Sequence, residues 1–192
     1  MPAQTRKKRS DVAFTVPGLK PDDAATVAEL LQRRLDSLTD LSLTLKHIHW
    51  NVVGPHFIAV HEMLDPQVDA VREMVDTTAE RIATLGRAPV GTPGALVAAR
   101  TWDDYSIGRA DALAHLGALD MVYTAVIADH RDAMKRLEDL DLVSQDMVID
   151  QVRQLEQFQW FVRAHLESAS GTLATAGVQT ERAAAEAARK AA

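Results

Sequence analysis

Two imidazoles and three carboxylates stand close together in the first half of this chain: His49, His61, Asp65, Asp76 and Glu80. Imidazole nitrogen and carboxylate oxygen without sulfur make a donor set suited to iron, manganese or zinc. The spacing carries more than the residue types. Asp65 follows His61 by four positions and Glu80 follows Asp76 by four, so each pair shares one face of a helix. His49 lies five residues before the Gly54-Pro55 turn and His61 six after it, so an antiparallel hairpin sets the two imidazoles opposite each other. His61 and Asp76 are fifteen positions apart on what reads as one helix. That separation is about 22 Å along a helix axis, so one metal ion cannot touch both within one chain. Either these are two half-sites, or a neighbouring copy supplies the missing half. A two-fold contact would close two composite sites at once.

Other chemistry falls away on the same inspection. His61-Glu62 with Asp65 is not the His-Glu-x-x-His of zinc proteases. No Glu has a His three positions later, so the Glu-x-x-His ligands of an ordinary di-iron bundle are missing. The competing structural reading pairs Asp76 and Glu80 with Arg72 or Arg81 as surface ion pairs. His47 points about 160° away from His49 around a helix. His56 sits at the turn, and His115, His130 and His165 lie on other segments without a matching carboxylate set. Trp50, Trp102 and Trp160 read as core or interface anchors.

Long helices must position these groups. Asp22 or Asp23 is placed to cap the first, in which Val27, Leu31, Leu35, Leu38, Leu41, Leu45 and Ile48 recur at steps of three and four. It should stop near Asn51, before Gly54-Pro55. A second helix spans about 57–85, ended by Gly86, Pro89, Gly91, Pro93 and Gly94. The connection to about Asp104 has room for a short helix at 95–100. A third helix is expected over about 107–140, and a fourth from Ser144 to near Gly171. The closing dozen residues are Ala-rich and charged and have the composition for a helix, but no apolar stripe to bury. The pattern predicts an all-α, ferritin-like four-helix bundle with a short helix in its middle crossover. The expected organisation is a basic arm over 1–20, the bundle over 21–172 and a tail over 173–192.

The chain has 192 residues, enough for one domain with a substantial core, and no cysteine. Disulfides, thiolate metal sites and a cysteine nucleophile are therefore excluded. No apolar run approaches the roughly 20 residues of a membrane span, and the basic N-terminus lacks the apolar stretch of a secretory signal. The expected location is the cytoplasm. The net charge of −6 is unevenly placed: setting aside the +4 of residues 1–10 and the +1 of residues 181–192 leaves −11 on residues 11–180. An acidic body repels nucleic acid, whereas Arg6, Lys7, Lys8 and Arg9 at one end, and Arg182, Arg189 and Lys190 at the other, attract it.

The run His49-Trp50-Asn51-Val52-x-Gly54-x-x-Phe57-x-x-x-His61-x-x-x-Asp65, followed by Asp76-x-x-Ala79-Glu80-Arg81-x-x-x-Leu85-Gly86-x-x-Pro89, resembles the Dps family, the DNA-binding proteins from starved cells. The resemblance covers roughly 25–170. It implies a hollow dodecamer with ferroxidase sites at dimer interfaces. His49, His61 and Asp65 match the ligands of one subunit, and Asp76 and Glu80 those of its partner. It implies oxidative iron storage, with hydrogen peroxide commonly preferred to oxygen as oxidant. It also implies three-fold entry pores lined by acidic residues early in the fourth helix, for which Asp146 and Asp150 are the candidates here. Nonspecific, salt-sensitive DNA binding through basic tails and a nucleoid-associated location complete the implied picture. Two competing readings remain: a mini-ferritin that stores iron without binding DNA, and a nucleoid-compacting protein with a vestigial metal site. Of the two tails, the C-terminal one has nothing evident to pin it, while Val12, Phe14 and Val16 are placed to hold the N-terminal segment against the shell.

Overall fold

The structure, a computed structural model, describes residues 14–191. The cluster Arg6–Arg9 and the candidate anchor Val12 lie outside the described residues. The elements run α1 (Pro21–Asn51), β1 (Val52–Val53), α2 (Phe57–Thr84), α3 (Pro93–Ala99), β2 (Ala110–Asp111), α4 (Ala112–Leu137), α5 (Leu142–Ala164) and α6 (Glu181–Lys190). The four long helices form the expected bundle. α1 packs on α2 and α4 on α5, and the crossover between the two pairs carries the short α3.

The three- and four-residue spacing of apolar positions becomes one continuous core. Leu38, Leu41, Leu45 and Ile48 of α1 meet Leu64, Val68 and Val71 of α2, with Leu119, Leu155 and Val162 closing the other side. A second cluster fills the opposite end, where Val27, Leu31 and Leu35 meet Ile82, Leu85, Leu137 and Val148. Val16 packs against that cluster. α4 is long and apolar enough to match a membrane span by composition, contrary to the expectation from the sequence. Most of it is buried in the bundle, so its apolarity is that of a core helix.

Several boundaries differ from the expected ones. α1 starts at Pro21, and no side chain caps it; Asp22 and Asp23 sit in its first turn instead, where the helix dipole favours carboxylates. α4 starts at Ala112 rather than near 107, because Asp111 caps it by accepting from the Ala114 N–H at 3.0 Å. α5 is capped in the same way by Asp141 and ends at Ala164. The largest difference is at the C-terminus. Residues 181–190 are helical and dock on α4, burying Ala184, Ala185 and Ala188. The tail thus has an anchor that its sequence concealed.

The hairpin that carries the candidate ligands is fixed at its tip. Gly54 turns the chain with φ +94°, a conformation costly for any residue with a Cβ. Immediately before it, β1 pairs in parallel with β2, Val52 opposite Ala110 and Val53 opposite Asp111. The crossover is tied to α1 by paired hydrogen bonds between Gln32 and Val90, each 2.9 Å, and by Trp102 Nε1 donating to Asp40 at 2.8 Å.

Candidate metal centre

His49 ends α1 and His61 opens α2, and the hairpin brings their rings into a stack with centroids 3.6 Å apart. Each ring is fixed by the other residue's backbone. His49 Nδ1 lies 3.0 Å from the His61 carbonyl oxygen, and His61 Nδ1 lies 3.0 Å from the His49 carbonyl oxygen. A carbonyl only accepts, so both protons sit on Nδ1 and both Nε2 lone pairs are left for a metal. A carbonyl that accepts from one ring nitrogen fixes the ring's orientation and tautomer, as it does for imidazoles that bind metals. Asp65 lies beside His49, its Oδ1 3.3 Å from the Nδ1 side of the ring.

Lys46 was not anticipated from the sequence. Its ammonium lies 2.7 Å from Asp65 Oδ1. The hydrogen bond from Lys46 is the main influence holding the Asp65 carboxyl below the usual carboxylate range; the charges of His49, Lys46 and His61 act in the same direction, against desolvation. The visible signal was position: Lys46 is three residues before His49 on α1 and so shares its face. Asp65 therefore stays anionic but is partly claimed by an internal cation, which a metal ion must displace.

Asp76 and Glu80 lie farther along α2, both exposed, and among the described residues neither forms an ion pair. The competing ion-pair partner Arg81 turns away, to Asp141 at 2.6 Å and Ser144 Oγ at 2.9 Å. Among the described residues, no three His, Asp or Glu side chains gather closely enough within one chain to hold a metal. The chain thus presents an imidazole–carboxylate group at the α1–α2 hairpin and two exposed carboxylates farther along α2.

The remaining candidates divide. Asp146 is exposed on the first turns of α5, whereas Asp150 pairs with Arg153 at 3.1 Å and accepts from Gln154 at 2.7 Å. In the tail, Arg182 and Lys190 are exposed, but Arg189 pairs with Asp111. His115 and His130 are fully buried, and burial lowers both imidazoles, His130 to about 3, which keeps them neutral structural groups. The three tryptophans are not in the core: Trp50 is 72% exposed, Trp160 63% and Trp102 38%. Trp50 shares a stripe of α1 with Leu43, seven positions earlier and 58% exposed; Ile58, the second residue of α2, is 55% exposed. Exposed apolar side chains on one helix face are a feature common at protein–protein contacts.

A family model described as "Ferritin-like domain" matches residues 28–171. The chain is 60% identical to the "DNA protection during starvation protein" of Mycolicibacterium smegmatis over 178 residues, covering 93% of this chain and 97% of that protein. Among solved structures, it is similar to Mycobacterium smegmatis Dps at 61% identity and a TM-score of 0.86, covering 87% of this chain and 95% of the other. It is similar to DpsA14 from Streptomyces coelicolor at 61% identity and a TM-score of 0.84, covering 86% and 99%.

Proposed function

Because the chain belongs to the Dps family of ferritin-like proteins, we propose that it oxidises ferrous iron at sites shared between two subunits, stores the ferric product inside a hollow homododecamer, and protects DNA by binding it without sequence preference. The observation that carries this reading is the split ligand set. One chain holds His49, His61 and Asp65 at the α1–α2 hairpin, and Asp76 and Glu80, which form no ion pair among the described residues, farther along α2. Neither half is a site alone. A two-fold contact over the exposed Leu43–Trp50 stripe of α1 would set the first half against Asp76 and Glu80 of the partner subunit.

Iron is the substrate. Its ferrous form accepts imidazole nitrogen, and the carboxylates match the harder ferric product. The residues' tasks follow from their geometry. The two imidazoles are each held through Nδ1 by a backbone carbonyl, which leaves Nε2 for iron. Asp65 must leave Lys46 as iron enters, so the lysine balances charge while no metal is bound. Two ferrous ions supply the two electrons that reduce one hydrogen peroxide, with two protons, to two water molecules; oxygen is the other oxidant. Pairing the electrons in this way leaves no one-electron step to release hydroxyl radical. Trp50, next to His49 and largely exposed, is available to scavenge strays but serves the subunit contact first. Asp146 is the better of the two candidates for a pore lining, since Asp150 already has partners. The acidic body suits cation entry and a mineral core, and the cytoplasm, close to the nucleoid, is the proposed location.

The docked tail favours a second reading, an iron store that does not bind DNA. Arg189 is engaged and α6 lies on an acidic body rather than extending from it. Two assays separate the readings. Iron oxidation by the size-fractionated assembly, with peroxide and with oxygen, should be fast in wild type and lost in His61→Ala and in Glu80→Ala. A gel shift at about 0.1 M salt, with and without residues 174–192 or with Arg6–Arg9 neutralised, tests DNA binding and its salt sensitivity. No shift from any form would leave the iron store alone.

A further inference from the structure

The C-terminal helix is seated on the segment that steadies the iron-site hairpin. At its start, Glu181 Oε2 accepts from both the N–H and the hydroxyl of Ser106, each at 2.7 Å. At its end, Arg189 pairs with Asp111. Asp111 belongs to β2 and stands opposite Val53 of β1, the strand that leaves the His49 turn of α1 and leads to His61. Between Ser106 and Asp111 the same segment grips α1 directly. His47 Nε2 donates to the Ile107 carbonyl at 2.9 Å, and the Tyr105 ring packs edge-on to His47 with centroids 5.8 Å apart. Residues 105–111 thus touch α6 on one side and the end of α1 on the other.

The seat is close but built only of small side chains. Only alanine side chains, Ala184, Ala185 and Ala188, are buried from α6. The approach depends on Gly117 of α4, where a Cβ would stand 2.5 Å from the Ala184 carbonyl oxygen. Three methyl groups bury little apolar area, and the Arg189–Asp111 pair is about half exposed, so neither holds the helix strongly. Docked and released states close in free energy are shifted by any ligand that prefers one of them.

We propose that α6 is a releasable brace: docked, it steadies the hairpin bearing His49 and His61; released, it frees Arg189 from Asp111 to join the exposed Arg182 and Lys190 on a polyphosphate backbone, so that DNA and the iron site compete for one helix. Asp111 and Arg189 are positioning residues in this arrangement. The proposal rests on the iron-site reading above. Gly117→Ala in the full-length assembled protein tests it, because alanine suits the interior of α4 better than glycine and so only the seat of α6 suffers. Trypsin should then cut at Arg182 about fivefold or more faster. KM for ferrous iron should rise severalfold with kcat nearly kept, and the protein concentration needed for a DNA gel shift should fall severalfold. Mere loss of assembled protein would instead lower kcat at constant KM. Arg189→Gln should also raise KM, and Arg189→Lys should restore it. Undiminished protection of Arg182 in Gly117→Ala, faster cleavage with an unchanged KM, or release without tighter DNA binding would each overturn the proposal. If wild type oxidised no ferrous iron, the iron-site reading would fail instead, while the trypsin comparison would still report on the seat.

Discussion

Asp141 caps α5 and at the same time holds α2, so its removal should cost more than a cap alone. Its Oδ2 accepts from Ser144 N at 3.2 Å and from Arg81 at 2.6 Å, and the two ion-pair side chains are only 15% and 9% exposed. Loss of an N-cap costs about 1 kcal/mol. Loss of a little-exposed hydrogen bond between charged groups adds about 1.5–3 kcal/mol. Asp141→Ala should therefore destabilise the fold by about 3 kcal/mol on these central values. Asp141→Asn keeps a good cap but removes the charge, and should cost only about 1–2 kcal/mol. Urea unfolding at one fixed protein concentration is the assay, since assembly makes stability concentration-dependent. Equal costs for the two variants, or an alanine cost below about 0.5 kcal/mol, would refute the additive reasoning. The pH dependence gives a further check. Burial pushes the Asp141 carboxyl up, but hydrogen bonds from Ser144 and Arg81, with the Arg81 charge, outweigh it and leave it below its usual value. A carboxyl depressed in the folded state stabilises fully above its unfolded pKa, about 3.9. The gap between wild type and Asp141→Ala should thus be constant from pH 5 to 8 and close as pH falls through the lower, folded value.

Lys46→Met should speed ferrous oxidation at low iron a few-fold, because Asp65 then has no cation to give up; slower oxidation would mean that Lys46 helps rather than competes. Trp50→Glu should split the assembly at the two-fold contact, seen as smaller species in light scattering, with iron oxidation lost in the same fractions; a full-size, active assembly would remove Trp50 from the interface.

The sequence showed what local periodicity can encode. Apolar steps of three and four located the long helices, and the i, i+4 spacing put Asp65 with His61 and Glu80 with Asp76 on shared faces of α2. What it concealed depends on partners distant along the chain. The start of α4 is set by the bridge between Val53 and Asp111, which no local pattern announces. α6 escaped notice because alanines form a stripe only against a glycine, and Gly117 lies 67 positions before Ala184. Pro66, inside α2 beside Asp65, would ordinarily argue against a continuous helix, yet α2 runs through it with Val60, Leu64, Val68 and Val71 buried around it. Lys46 was legible as a neighbour of His49 on α1 but not as a partner of Asp65, which requires the hairpin to close.

The central claim is that each iron site is built by two chains, and subunit mixing tests it most directly. His61→Ala and Glu80→Ala are each expected to be inactive as pure assemblies. When equal amounts are unfolded and reassembled together, half the two-fold pairs are mixed, and in each of those one composite site carries both defects while the other is intact. About a quarter of the wild-type oxidation rate should therefore return. No recovery, with mixed assemblies verified by mass spectrometry, would show that the five ligands do not act across a shared interface.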